Sequence, residues 1–434
     1  MRNTYGERDS GDVVLSVPVE RFTLDNGLRV NLSHDHSTSV VAINLWYAVG
    51  SRNELPGKTG FAHLFEHMMF QGSANVPKNR HFELVERAGG TLNATTWFDR
   101  TNYFQTVPSH HLEMALWLES DRMGWMLPAM TQEKLDNQRD VVINEKKQRY
   151  DNQPYGDWDE WIQAMVYPKD HPYSHTVIGS MEDIESATLE DVKDFFETFY
   201  VPNNAVLTVC GDFNRDEALD MIDKHFGEIP RGDEIPPIPG ELKLDHIIGS
   251  TVREQIEADV PLPRVLMAFR IPPYANPDFY IANVAGTVAG SGRASRLYRS
   301  LVCEHKIAKD VISHTLPLMT GAGMFLVWAT GFSGSNPSEL EEALALELEG
   351  LESVTEDEIQ RAVAITETSL IREIQRVEER ADVISMFDQF FDDPSRLNSE
   401  LERIRAVTPV QVSKFTNEFL GPNNRAVLTY IPKT

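Results

Sequence analysis

Two kinds of apolar spacing alternate along the chain. Alternation marks strand-like runs in FTLDNGLRVNLS at 22–33, with a turn at Asn26-Gly27, and in VVAINLWYAVGS at 40–51. Spacings of three and four predict helices at about 59–71, 79–88, 109–124 and 131–150. Between them GTLNATTWFDRTNYFQTVP, at 90–108, has strand composition with broken alternation. A second series begins with RVLMAFRIP at 264–272, followed by helices expected near 277–304 and 337–350. A long charged helix is expected over 355–381, its acidic residues forming a solvated face.

The two series share an internal repeat. TLEDVKDFFETFYVPNNAVLT at 188–208 returns as TPVQVSKFTNEFLGPNNRAVLT at 408–429. Thr188, Val192, Phe195, Phe199, Pro202, Asn203 and Asn204 match Thr408, Val412, Phe415, Phe419, Pro422, Asn423 and Asn424, a constant offset. One extra residue, Arg425, then shifts the final Ala-Val-Leu-Thr. Each copy reads as a Thr-capped helix, a Pro-Asn-Asn turn and a buried strand. The expected fold is therefore α+β, two duplicated half-domains, each a mostly antiparallel sheet flanked by helices. A linker over 229–245, rich in proline (Pro230, Pro236, Pro237, Pro239), separates a domain at 1–228 from one at 246–434.

Composition narrows the function classes. The 434 residues carry a formal net charge of −26, which disfavours nucleic acid and anionic membranes and favours basic or neutral ligands. The N-terminal run MRNTYGERDSGDVVL has no apolar leader core, and no apolar stretch is long enough to span a bilayer. Two cysteines, Cys210 and Cys303, are too few for a disulfide framework and point to a reducing, cytoplasmic compartment. Cys210 reads as an inert core thiol; Cys303 has no triad around it.

The chemistry concentrates in KTGFAHLFEHMMFQGS. His63, Glu66 and His67 stand at i, i+3 and i+4, the inverted zincin pattern, with Thr59 expected to cap the helix. Two imidazoles one turn apart can hold one zinc ion, with Glu66 handling a proton beside it. A catalytic site needs a third protein ligand, and Glu83, Glu86, Glu119 and Glu145 all compete on spacing. His171 and His175 flank Pro172 and read as plain loop. GSGRAS at 290–295 lacks the lysine of a phosphate loop and reads as a turn.

The motif, together with GGTLNATTWFDRTNYF, LWLESDRM and NQRDVVINEKKQRYDNQPYG, resembles the pitrilysin/insulinase family of metallopeptidases, in the branch of mitochondrial processing peptidase and its bacterial relatives. The resemblance implies His63, His67 and Glu145 as ligands of one zinc ion per chain and Glu66 as general base toward zinc-bound water. Asn93 and Ala94 fall on the family's edge strand, which binds extended peptide. Many relatives carry a carboxylate seven residues before the third ligand, where this chain has Gln138. The implied activity is cleavage of unfolded peptides within a closed chamber.

The second half departs from the family. His63 maps near Asn283, and no second His-x-x-Glu-His occurs there. Single-chain relatives hold substrate there through an Arg and a Tyr; the corresponding positions are Val302 and Lys309, with Arg296, Tyr298 and Arg299 nearby. The implied remedy is a heterodimer with a homologous subunit that supplies the Arg/Tyr pair. The alternative is a non-catalytic peptide-binding or assembly subunit derived from a processing peptidase.

Overall fold

The computed structural model describes residues 14–433. Thirteen residues of the N-terminal run expected to carry no leader lie outside that range. Strands β1 (Glu20–Thr23), β2 (Arg29–His34), β3 (Val40–Tyr47), β4 (Thr91–Thr96), β5 (Thr101–Pro108) and β6 (Ala205–Gly211) form one sheet in the order β1-β2-β6-β3-β5-β4. Strands β7 (Ser250–Ala258), β8 (Arg264–Ile271), β9 (Ala308–Leu316), β10 (Gly323–Gly331) and β11 (Asn424–Pro432) form a second, ordered β7-β11-β8-β10-β9. Only β2–β6 and β7–β11 run parallel, so both sheets are mixed with an antiparallel majority.

Helices α1 (Phe61–Met68), α2 (Arg80–Arg87), α3 (Leu112–Trp125), α4 (Gln132–Lys146), α5 (Trp158–Val166), α6 (Met181–Ser186), α7 (Leu189–Phe199) and α8 (Arg215–Phe226) belong to the first half. The second contributes α9 (Asp278–Gly290), α10 (Pro337–Glu349), α11 (Glu356–Gln375), α12 (Val377–Phe391), α13 (Glu400–Arg405) and α14 (Pro409–Phe419). Residues 230–249 between the halves contain no helix or strand.

The repeat extends to the sheet order, because β2, β6, β3, β5 and β4 correspond in order to β7, β11, β8, β10 and β9, and β1 alone has no counterpart among the described strands. It also holds at atomic detail. Thr188 and Thr408 each close a capping box at the start of α7 and α14. Asn204 donates to the Phe199 carbonyl at 2.9 Å and Asn424 to the Phe419 carbonyl at 2.8 Å, so the same side chain seals each helix end before its strand.

The halves interlock. Helix α12 of the second half packs on β3 and β6, while α5 of the first packs on β8 and β11. Strand β3 is accordingly buried on both faces: Val41, Ile43, Leu45 and Tyr47 join the first core, and Trp46 meets Phe390 of α12 edge-on at 5.5 Å. Each large side chain so buried contributes about 1.5–3 kcal/mol. Asp388 of α12, fully buried, accepts from Arg29 at 2.8 Å, Arg21 at 2.9 Å and Asn31 at 2.7 Å.

Two expected helices are corrected. The charged helix does not run through 355–381, since Arg376 is extended (φ −83°, ψ 129°) and separates α11 from α12. Arg380 donates to the Ile374 carbonyl at 2.8 Å, satisfying a group that the break leaves free. The break turns α12 onto the first sheet. Likewise the helix expected near 277–304 ends at Gly290, and a separate π-helical turn occupies Tyr298–Glu304. A Cβ at Gly290 would lie 2.5 Å from the Ser313 backbone nitrogen, so close packing on β9 requires glycine where the helix stops.

Candidate metal centre

Helix α1 starts at Gly60, whose φ of 84° suits glycine. The expected Thr59 cap is not formed: the Thr59 hydroxyl donates to Asp183 at 2.5 Å. Buried Glu54 does the capping, accepting from the Gly60 nitrogen at 2.9 Å and the Ala62 nitrogen at 2.7 Å. Burial pushes the Glu54 carboxyl well up, against these two bonds. Phe61, Leu64, Phe65 and Met68 are buried in the first core, which leaves the opposite stripe of α1 to His63, Glu66 and His67.

Glu145 reaches that stripe from α4, one residue before the helix ends and a π-helical turn, Lys147–Asp151, begins. One ligand atom each from His63, His67 and Glu145 lies within 4.8 Å of the others, and no other such group occurs among the described residues. The His67 Nε2–Glu145 Oε2 separation is 3.4 Å and His63 Nε2–Glu145 Oε2 is 4.0 Å. Both exceed a good hydrogen bond and approach the roughly 3.3 Å edge of a zinc tetrahedron. The donor set therefore fits zinc: two imidazole nitrogens and Glu145 Oε2 converge, while Arg149 pairs with the other Glu145 oxygen, Oε1, at 2.7 Å. The second His63 nitrogen, Nδ1, is buried without a hydrogen-bond partner.

The electrostatics suit the same purpose. Burial, with His67 adding repulsion, pushes His63 down to about 4, so its ring is neutral and has a lone pair to offer at neutral pH. Burial opposes charge on His67, but Glu145 and Glu66 outweigh it and raise its pKa. Contact with His67 holds Glu145 below the ordinary carboxylate range. Glu66 is raised, by burial first, although Thr96 of β4 donates to its Oε2 at 2.6 Å. A carboxyl held up in this way is matched to taking and returning a proton.

The remaining candidates are disposed as follows. Glu119 is buried against Arg122 and Gln105, and Glu83 pairs with Arg80 and Arg87 on the surface. Gln138 is buried and hydrogen-bonds toward His67, so an amide stands where relatives carry charge. Asn93 and Ala94 lie on β4, which pairs only with β5 and ends the sheet. Ala94 is buried in the core, and the Asn93 side chain accepts from the Ala94 nitrogen at 2.9 Å. His171 is buried and stacks on Tyr167 in a turn away from the group. Cys210 is buried and pushed up to about 12; Cys303 is exposed and unpaired. In the second half Val302 is half-buried in the π-helical turn, Lys309 is exposed on β9, and Arg296 is bound to Glu358 at 2.7 Å. Glu54, Thr96 and Arg100, whose charge faces Asp382 and Glu66, carried no signal in the sequence.

A zinc protease, PqqE, of Helicobacter pylori is 33% identical over 350 residues, covering 79% of this chain and 76% of the relative. The chain belongs to peptidase family M16. The profile described as Insulinase (Peptidase family M16) matches residues 29–169, and that described as Peptidase M16 inactive domain matches 186–366. The beta subunit of human mitochondrial-processing peptidase is 27% identical over 376 residues, covering 83% of this chain and 74% of the relative. A protease structure from Helicobacter pylori superposes with a TM-score of 0.89 at 27% identity, covering 96% of this chain and 100% of the other. The first half of the periplasmic protease PqqL from Escherichia coli shares the fold, with TM-score 0.76 at 17% identity and coverage of 96% and 93%. No helix among the described residues is long and apolar enough to cross a membrane.

Proposed function

We propose that this chain is the zinc-bearing subunit of a metalloendopeptidase that cleaves unfolded peptides. The convergence of His63, His67 and Glu145, with Glu66 on the same helix face, carries the reading. When bound, one zinc ion per chain supplies Lewis acidity, polarising a peptide carbonyl and lowering the pKa of a water. Glu66 takes a proton from the attacking water and returns it to the leaving amine. Thr96 orients the Glu66 carboxylate through the hydroxyl bond to Oε2. The outer edge of β4 receives substrate as an added strand, with Asn93 and Ala94 at its centre.

A homologous partner subunit supplies the Arg/Tyr pair and closes the chamber. Support comes from Val302 and Lys309, neither of which replaces that pair, and from Arg296, which is already committed to Glu358. Human mitochondrial-processing peptidase, whose beta subunit is similar to this chain, is itself built of subunits. The two unpaired cysteines support a cytoplasmic setting. The test is a peptidase assay of wild type and Glu66→Gln, each with and without proteins co-purifying from the native host. Partner-dependent cleavage that falls by about 10²–10⁴-fold in Glu66→Gln is expected. Full activity of the chain alone removes the partner, and unchanged activity in Glu66→Gln removes the base.

A further inference from the structure

The duplication has left a second cavity in the counterpart position. Under the offset of the terminal repeat, His63, His67 and Glu145 fall on Asn283, Thr287 and Ile365. All three line one open cavity of about 410 Å³ between α9, α11 and α12. The replacements remove every strong metal donor, yet the space has not closed. Its walls are of two kinds, aromatic surfaces such as Tyr274, Phe279 and Phe387, and carboxylates, Glu373, Asp382 and Glu400. No lysine or arginine lines it.

The carboxylates are not equally engaged. Glu400 accepts from Tyr280 at 2.7 Å and is flanked by Arg396 and Arg403. The Glu373 side chain has no hydrogen-bond or ion-pair partner among the described residues. Asp382 uses Oδ1 for Asn44, Trp46 and Asn102 of the first sheet, at 3.0, 2.8 and 2.7 Å, and its Oδ2 accepts nothing among the described residues. Glu373 is exposed at the cavity, where partial desolvation, Glu379 and Asp382 push its carboxyl up, and Arg376, which is paired with Glu379, offsets this only in part. Two carboxylates that line one cavity with aromatic side chains, Glu373 exposed and Asp382 half-buried, complement a cation on an apolar stem.

We propose that this cavity binds a guanidinium or ammonium group carried on an alkyl chain, with Glu373 and Asp382 at the charged end and the aromatic wall around the stem. The chemistry fits either a free alkylamine or the arginine or lysine side chain of a peptide. Asp382 also faces Arg100, which faces Glu66, so the cavity and the catalytic helix share one charged neighbour. The proposal stands apart from the peptidase reading, since it needs neither zinc nor cleavage.

The test is titration calorimetry of the full chain with agmatine, and with an arginine peptide and its citrulline counterpart. Saturable binding with one site per chain is expected, weakened about tenfold by Glu373→Gln. Ser369→Phe, which fills the cavity mouth from an exposed position on α11, is expected to abolish it. Competition by the arginine peptide but not the citrulline form assigns a peptide side chain; binding of agmatine alone assigns a free amine. Absence of saturable binding to the wild type overturns the proposal. So does binding unchanged in both variants, or binding lost only in Glu66→Gln, which places the cation at the metal centre.

Discussion

At the scale of single residues, the centre depends on groups that never touch a substrate. Glu54 holds the first turn of α1 through two backbone bonds, and no other side chain among the described residues caps that helix end. Glu54→Ala is expected to cost about 1–3 kcal/mol, because two buried N–H groups lose their acceptor. Thermal unfolding measures that loss, and a zinc competition titration should show weaker binding as His63 and His67 lose alignment. Stability and affinity equal to wild type would contradict the role. The sequence made His63, Glu66 and His67 legible because helix periodicity places i, i+3 and i+4 together. It did not reveal Glu54, because its contact depends on the tertiary path of 54–60. Thr59 looked like the cap, but Asp183 draws its hydroxyl away. Glu145 could not be chosen over Glu119 by spacing, since the choice depends on α4 rather than α3 packing against α1; the family resemblance supplied it.

At the scale of elements, the duplication was legible wherever both copies retain the same chemistry. The Thr-capped helix, the Asn seal and the buried strand recur because each meets a local need. The break at Arg376 was not legible, since neither proline nor glycine marks it and only the packing of α12 on the other half requires it. The start of α11 shows how such helices are fixed. Glu358 closes a capping box with Thr355 and pairs with Arg296, first through the Arg296 hydrogen bond, which holds the carboxyl down to about 2 from an ordinary 4.5. A depressed folded-state pKa stabilises the fold above the ordinary value, and the contribution fades as pH falls from about 4.5 toward 2. Arg296→Leu is therefore expected to lose about 1–2 kcal/mol near neutral pH. Its deficit against wild type should shrink through that acid window in urea unfolding. A deficit constant with pH would show that the ion pair is not its source.

At the scale of the whole molecule, the two halves exchange helices, and neither sheet is fully covered by its own half. A reading of separate domains joined by a linker misses this, because β3 and β6 look like ordinary buried strands whichever half covers them. The Asp388 network, where α12 meets Arg21, Arg29 and Asn31, is part of the exchange. Asp388→Ala is expected to cost about 1–3 kcal/mol, because Asn31, which is buried, and Arg29, which is half-buried, lose their shared acceptor. Because α12 spans both halves, a single unfolding transition should shift as a unit; loss of one half alone would contradict the interlock. The proposed activity requires one metal held between α1 and α4. Its most direct test is the zinc content of the purified chain, measured by mass spectrometry for wild type and Glu145→Ala. About one zinc per wild-type chain and a large loss in the variant are predicted. A zinc-free wild type, or a variant that keeps its full zinc content, would contradict it.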